Sequence, residues 1–74
     1  MFSKKRQLRR ELKRLERSRC NLRCSKIDDE LDRDQLAPGT SYREGLSRDI
    51  QRIELELELV DAQIQEKRRE LAAI

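Results

Sequence analysis

Two apolar stripes, one on each side of a single break in the chain, constrain the fold more than any other feature. The break is Ala37-Pro38-Gly39, and residues 4–36 contain no Pro or Gly. A constant sum of paired residue numbers is what two antiparallel helices require, so we predict an all-α antiparallel two-helix hairpin, a coiled coil. In each pair of the predicted hairpin seam the two residue numbers add up to 77. The pairs are Cys20 with Leu57, Cys24 with Ile53, Ile27 with Ile50, and Leu31 with Leu46.

The whole chain, 1–74, is predicted to be one helical hairpin, with helix one at about 4–36, the turn at 37–40 and helix two at about 41–74. Ser41 and Glu44 match a capping box, so helix two is predicted to begin there, with Ser47 as a later alternative start. From Leu46 onward, apolar residues alternate by four and three, which is the heptad pattern of coiled coils.

Further apolar residues fall away from this seam on both helices. Only 35% of the 74 residues are apolar, so a lone hairpin has little core and we expect a partner to complete it. We predict a homo-oligomer, a dimer forming a four-helix bundle, or docking on a partner helix. The alternative is a kink near Ser18, Asn21 and Ser25 that turns helix one back onto helix two. The predicted oligomer interface is Leu8, Leu12, Leu15, Leu55, Leu59, Val60 and Ile64.

Chemistry-bearing motifs are scarce. The sequence has no His and no Gly-rich phosphate loop, so we predict no enzymatic activity, no small-molecule substrate and no cofactor. Cys20 and Cys24 cannot complete a tetrahedral zinc site within one chain, so no metal is predicted. We expect both thiols to be small buried hydrophobes of the seam, with an inter-chain disulfide or metal site as the alternative.

Positive charge is concentrated near the N-terminus. Residues 4–26 hold 11 Lys and Arg against two Glu, a local charge of +9, and the rest of the chain carries −6. Acidic side chains of helix two could neutralise part of this charge across the hairpin, giving an ordinary salt-bridged coiled coil. Otherwise both termini form one cationic open end that binds anions. Its predicted residues are Lys4, Lys5, Arg6, Arg9, Arg10, Lys13, Arg14, Lys67, Arg68 and Arg69.

Three functions remain open at this level. The first is a non-enzymatic coiled-coil module for interaction and oligomerisation, with a basic open end. The second is a cytoplasmic hairpin from a membrane protein, with its basic ends against an anionic membrane surface. The third is backbone-directed binding of nucleic acid, since the plan is similar, by architecture alone, to that of Rop-type RNA-binding hairpins. No apolar run reaches the ~20 residues that span a bilayer, so we expect a cytoplasmic location, free in solution or at the membrane face.

Overall fold

The chain folds into an antiparallel hairpin of two long helices, as the sequence predicts. In the computed structural model, which describes residues 3–74, α1 is Lys4–Asp34 and α2 is Ser41–Ala72. The two helices lie side by side in a rod of about 55 × 15 × 15 Å. Helix one ends two residues earlier than predicted, and residues 1 and 2 of the predicted 1–74 unit lie outside the described residues. No helix within residues 3–74 is long and apolar enough to cross a membrane.

Side-chain caps set where both helices begin. The Ser3 hydroxyl accepts a hydrogen bond of 3.2 Å from the Arg6 amide at the start of α1. At the start of α2 the N-cap is Thr40 instead of the predicted Ser41, and its hydroxyl accepts from the Arg43 amide at 3.2 Å. The same hydroxyl donates to the Ala37 carbonyl at 3.2 Å, so Thr40 both starts α2 and closes the turn.

The turn is held by one glycine and one arginine. Gly39 has a φ of +85°, in the left-handed region that L side chains rarely adopt. The Arg43 guanidinium reaches back from the first turn of α2 and donates a 2.8 Å hydrogen bond to the Leu36 carbonyl. Because α1 has ended at Asp34, this carbonyl has no partner within the helix, and Arg43 satisfies it.

Helix α2 presents the heptad face that the sequence predicts. Leu46, Ile50, Ile53 and Ile64 are buried, with exposed fractions between 1% and 8%. Between and beyond them, Leu57, Val60, Lys67 and Leu71 are partly buried. We call these eight residues the α2 seam.

Helix α1 turns a different face toward α2 from the one predicted. Leu8 is 4% exposed, whereas Ile27 is 56% and Leu31 57% exposed, and Cys20 and Cys24 are exposed as well. The prediction that these last four residues line the seam is therefore wrong. The face that packs is a continuous heptad whose members are all buried or partly buried. This α1 seam is Leu8, Leu12, Leu15, Arg19, Leu22, Lys26, Asp29 and Arg33.

The reason for the different face is that α1 is one unbroken helix through Ser18, Asn21 and Ser25. Its apolar residues change face near Asn21, but an unbroken helix keeps the same face toward its neighbour from end to end. The leucines from Leu8 to Leu22 fix that face. The turn-proximal half of α1 then covers α2 with the stems of Lys26 and Arg33.

Ion pairs between the helices report the register. The residue numbers of Glu11 and Lys67 add up to 78, those of Arg19 with Asp61 and of Lys26 with Glu54 to 80, and those of Glu16 with Arg68 to 84. The predicted sum of 77 is therefore lower than the sum of every one of these ion pairs. The difference arises because the pairing was derived from residues of α1 that do not face α2.

A matched pair of isoleucine substitutions tests the seam. Ile64→Ala should lower the free energy of unfolding by about 2 kcal/mol or more, because Ile64 is 1% exposed and its removal leaves a cavity. Ile27→Ala makes the same change at a residue that is 56% exposed and should cost less than about 0.5 kcal/mol. Urea denaturation followed by circular dichroism, at micromolar protein, measures both. A larger loss for Ile27→Ala would contradict the seam described above.

Candidate functional site

The surface of α1 that faces away from α2 carries one continuous stripe of exposed residues, which is cationic in one half and apolar in the other. Eight exposed residues alternate by four and three, at roughly 150° around the helix from the α1 seam. The half near the N-terminus is cationic and the half near the turn is apolar. This α1 outer stripe is Arg6, Arg10, Lys13, Arg17, Cys20, Cys24, Ile27 and Leu31.

Helix α2 carries a second stripe on the opposite side of the hairpin. Leu55 is 62% exposed and Leu59 is 67% exposed, and Ala62 lies beside them. They sit roughly 160° from the α2 seam, so they face away from α1. Charged residues flank them on both sides, and the α2 outer stripe as a whole is Arg48, Arg52, Leu55, Leu59, Ala62 and Glu66.

The predicted oligomer interface is therefore divided between two locations. Leu8 and Ile64 are buried inside the hairpin, at 4% and 1% exposure. The partly buried residues Leu12, Leu15 and Val60 belong to the same internal seam. These five residues contribute to packing within the hairpin, because the unbroken α1 directs its leucines to α2. Of the predicted set, Leu55 and Leu59 are exposed.

Both cysteines also lie outside the seam in which they were predicted. Cys20 and Cys24 are exposed free thiols on the α1 outer stripe, not small hydrophobes in the seam. They lie where the cationic half of the stripe meets the apolar half.

The open end of the hairpin brings the cations of both helices together, because the start of α1 and the end of α2 lie there. Part of this charge is neutralised between the helices, since Lys67 Nζ lies 3.1 Å from Glu11 Oε2 and Arg68 Nη2 lies 3.4 Å from Glu16 Oε1. Much of it is not. Within residues 3–74, the predicted anion-binding residues that form no ion pair are Lys4, Lys5, Arg6, Arg9, Lys13, Arg14 and Arg69.

Lys67 interrupts the apolar part of the α2 seam and is stabilised in its charged form. The hydrogen bond that Lys67 donates to Glu11 raises the pKa of Lys67 above its ordinary value of 10.5, and the charges of Glu11 and Glu70 raise it further. A shallow open groove beside this pair is lined by Glu11, Arg14, Leu15, Gln63, Glu66 and Lys67. Because Lys67 in this groove is already paired with Glu11, the groove is a salt-bridged edge of the seam.

Two further ion pairs join the helices, of the kind that the salt-bridged alternative in the sequence analysis describes. Arg19 Nη1 lies 3.4 Å from Asp61 Oδ1, and Lys26 Nζ lies 3.4 Å from Glu54 Oε1. Lys26 also lies 3.8 Å from Glu30, so it bridges carboxylates of both helices. The heptad of α1 that begins at Leu8 identifies these cations, since it places Arg19 before Leu22 and Lys26 after Leu22 on the seam. Such partly exposed pairs each contribute about 0–1 kcal/mol.

No family model, curated protein or solved structure matches this chain.

The raised pKa of Lys67 predicts a pH effect on stability. A lysine whose pKa is higher in the folded state stabilises the fold below the unfolded pKa, and this contribution is lost as the pH rises through the folded pKa. The melting temperature of the wild-type hairpin should therefore fall more steeply than that of Lys67→Met between about pH 10 and about pH 12. Thermal melts followed by circular dichroism measure this difference.

Glu11→Gln is the matched control for that experiment, because it keeps Lys67 and removes its main partner. Its melting temperature should also depend less steeply on alkaline pH than that of the wild type. Identical alkaline slopes for all three proteins would show that the Glu11–Lys67 contact does not persist in solution.

Proposed function

We propose that this chain is a non-enzymatic helical-hairpin module that works by packing its outer faces against other helices, and that it forms homo-oligomers in this way. The observation that carries the proposal is the exposure of large apolar residues after the hairpin has closed. Ile27, Leu31, Leu55 and Leu59 are all between 56% and 67% exposed. Contiguous apolar patches on a small protein commonly mark interaction sites.

The composition of the internal seam supports the same proposal. The buried apolar residues of the described chain are Leu8, Leu46, Ile50, Ile53 and Ile64. On α1, the seam positions near the turn are taken by Lys26, Asp29 and Arg33, which supply little apolar area. A hairpin with so small a core is only marginally stable alone, so burial of its outer faces against another helix would add much of its stability.

Glutamate substitutions on the α2 outer stripe test this function. Leu55→Glu with Leu59→Glu should leave the hairpin helical, because both residues face away from α1, but should weaken association by about tenfold or more. Sedimentation equilibrium over a concentration series, in reductant and about 0.15 M salt, measures the mass.

The matched control is Gln51→Glu with Gln65→Glu, which adds the same charge at exposed positions of α2 outside the stripe. This control should associate like the wild type. If the leucine variant keeps the wild-type mass at every concentration, the α2 outer stripe is not an interface and the proposal fails.

A second candidate function is binding of phosphate-bearing surfaces by the open end. The specific observation is the group of exposed cations on α1, among them Lys4, Arg9 and Lys13, that form no ion pair within residues 3–74. Phosphates are carried by nucleic acids and by anionic lipid headgroups alike. Contacts of this kind read charge and not sequence, and they weaken as salt rises.

Binding of duplex RNA and of vesicles with and without phosphatidylserine tests this second function. Affinity for the preferred probe should fall by about tenfold or more between about 50 mM and about 200 mM salt. Lys4→Gln with Arg9→Gln and Lys13→Gln should weaken binding, whereas Arg48→Gln with Arg52→Gln, near the turn, should not. Affinity that does not change with salt would exclude this function.

A further inference from the structure

We propose that the partner of the apolar half of the α1 outer stripe is the α2 outer stripe of a second copy of this chain, bound head to tail. This inference rests on the proposed function and names the partner. The residues of α1 that it uses are Cys24, Ile27 and Leu31, and those of α2 are Leu55, Leu59 and Ala62, all of them exposed.

The spacing of the two apolar groups matches for antiparallel packing. Along α1, the intervals from Cys24 to Ile27 to Leu31 are three and then four residues. Read backwards along α2, the intervals from Ala62 to Leu59 to Leu55 are also three and then four. Each group covers about 10 Å of its helix. An antiparallel approach therefore places Cys24 against Ala62, Ile27 against Leu59, and Leu31 against Leu55, at three successive levels.

Charges at the edges of this contact are complementary in the same register. One level beyond Leu31, Asp34 comes opposite Arg52, and their side chains are 65% and 70% exposed in the single hairpin. Within the hairpin, Asp34 lies 3.5 Å from Arg33 and Arg52 lies 3.7 Å from Asp49, so each would exchange or share a local partner on assembly. Along one flank, Arg23 comes opposite Glu58, and both are exposed. At the far edge Arg17 comes opposite Arg69, a like-charged pair that opposes the contact there, with Glu66 beside them.

Packing of like stripes fits less well. If α1 packs on α1 in the antiparallel register that pairs Cys24 with Ile27, Arg23 meets Arg23 and Asp28 meets Asp28 of the other copy, and Glu16 meets Glu30. Like charges at such positions are destabilising. If α2 packs on α2 through Leu55 and Leu59, then Ile27 and Leu31 remain uncovered. Among these arrangements, only the head-to-tail contact covers both apolar groups.

Because the two stripes lie on opposite sides of the hairpin, a head-to-tail contact leaves one free stripe at each end of every assembly. Such heterologous contacts build an open series unless the rotation between copies closes a ring. Head-to-tail packing thus predicts a mass that keeps rising with concentration beyond the dimer.

Two single variants that block different stripes test this arrangement. Leu31→Glu blocks the α1 outer stripe and Leu55→Glu blocks the α2 outer stripe, and each alone should remain monomeric at concentrations where the wild type assembles. Their equimolar mixture should form a one-to-one heterodimer that does not grow, because each variant supplies the stripe that the other lacks. Sedimentation velocity in reductant measures these masses, and circular dichroism verifies that both variants stay helical.

The matched control is a mixture of Leu31→Glu with Ile27→Glu, in which both chains are blocked on the same stripe. This mixture should stay monomeric. A charge reversal gives a second readout: Asp34→Arg should weaken assembly several-fold, and adding Arg52→Asp to it should restore assembly, since the two residues meet between copies.

The outcomes separate this inference from the proposed function. A wild-type dimer that is lost in Leu55→Glu, kept in Leu31→Glu, and never rescued by mixing would mean that α2 pairs with α2. The head-to-tail arrangement would then be wrong, while the module would still self-associate. A wild-type chain that stays monomeric at about 1 mM, where contacts of only about 4 kcal/mol become visible, would overturn both.

Discussion

A straight helix can turn only one face toward a straight neighbour, and the arrangement of this hairpin follows from that constraint. The leucines from Leu8 to Leu22 determine which face of α1 packs on α2, since they form the longer apolar stripe and lie at heptad spacing. The residues of α1 nearer the turn must present this same face to α2. Lys26, Asp29 and Arg33 are drawn onto the seam, and Ile27 and Leu31 are left outside.

This constraint divides the hairpin into two halves that are held together differently. In the half near the termini, leucines of α1 pack against Ile64 and its neighbours, and the packing is apolar. In the half near the turn, Leu46, Ile50 and Ile53 are covered by the long stems of charged residues, whose heads form ion pairs along the edge. In the half near the turn the buried apolar residues all come from α2, whereas in the half near the termini both helices supply them.

The sequence predicts the helices and the face of α2 well because each of these signals is local. The break at Ala37-Pro38-Gly39 ends one helix, and the apolar residues from Leu46 to Ile64 keep a single face throughout. The face of α1 was mispredicted because two apolar stripes compete there. A constant sum of 77 pairs α2 with Cys20, Cys24, Ile27 and Leu31, although the unbroken helix and the length of the leucine stripe favour the other face. Local periodicity finds stripes, but the choice between them depends on packing along the whole helix.

Head-to-tail packing would also orient the hairpins, since an α1 that runs antiparallel to the α2 of its neighbour runs parallel to that neighbour's α1. All open ends would then lie along one edge of the assembly and all turns along the other. The cations that stand unpaired at the end of one hairpin would become a row, whose mutual repulsion grows with every added copy at low ionic strength. This repulsion would limit the number of copies in an assembly. A polyanion bound along the row of cations would neutralise it, and the length of the polyanion would then set the length of the assembly.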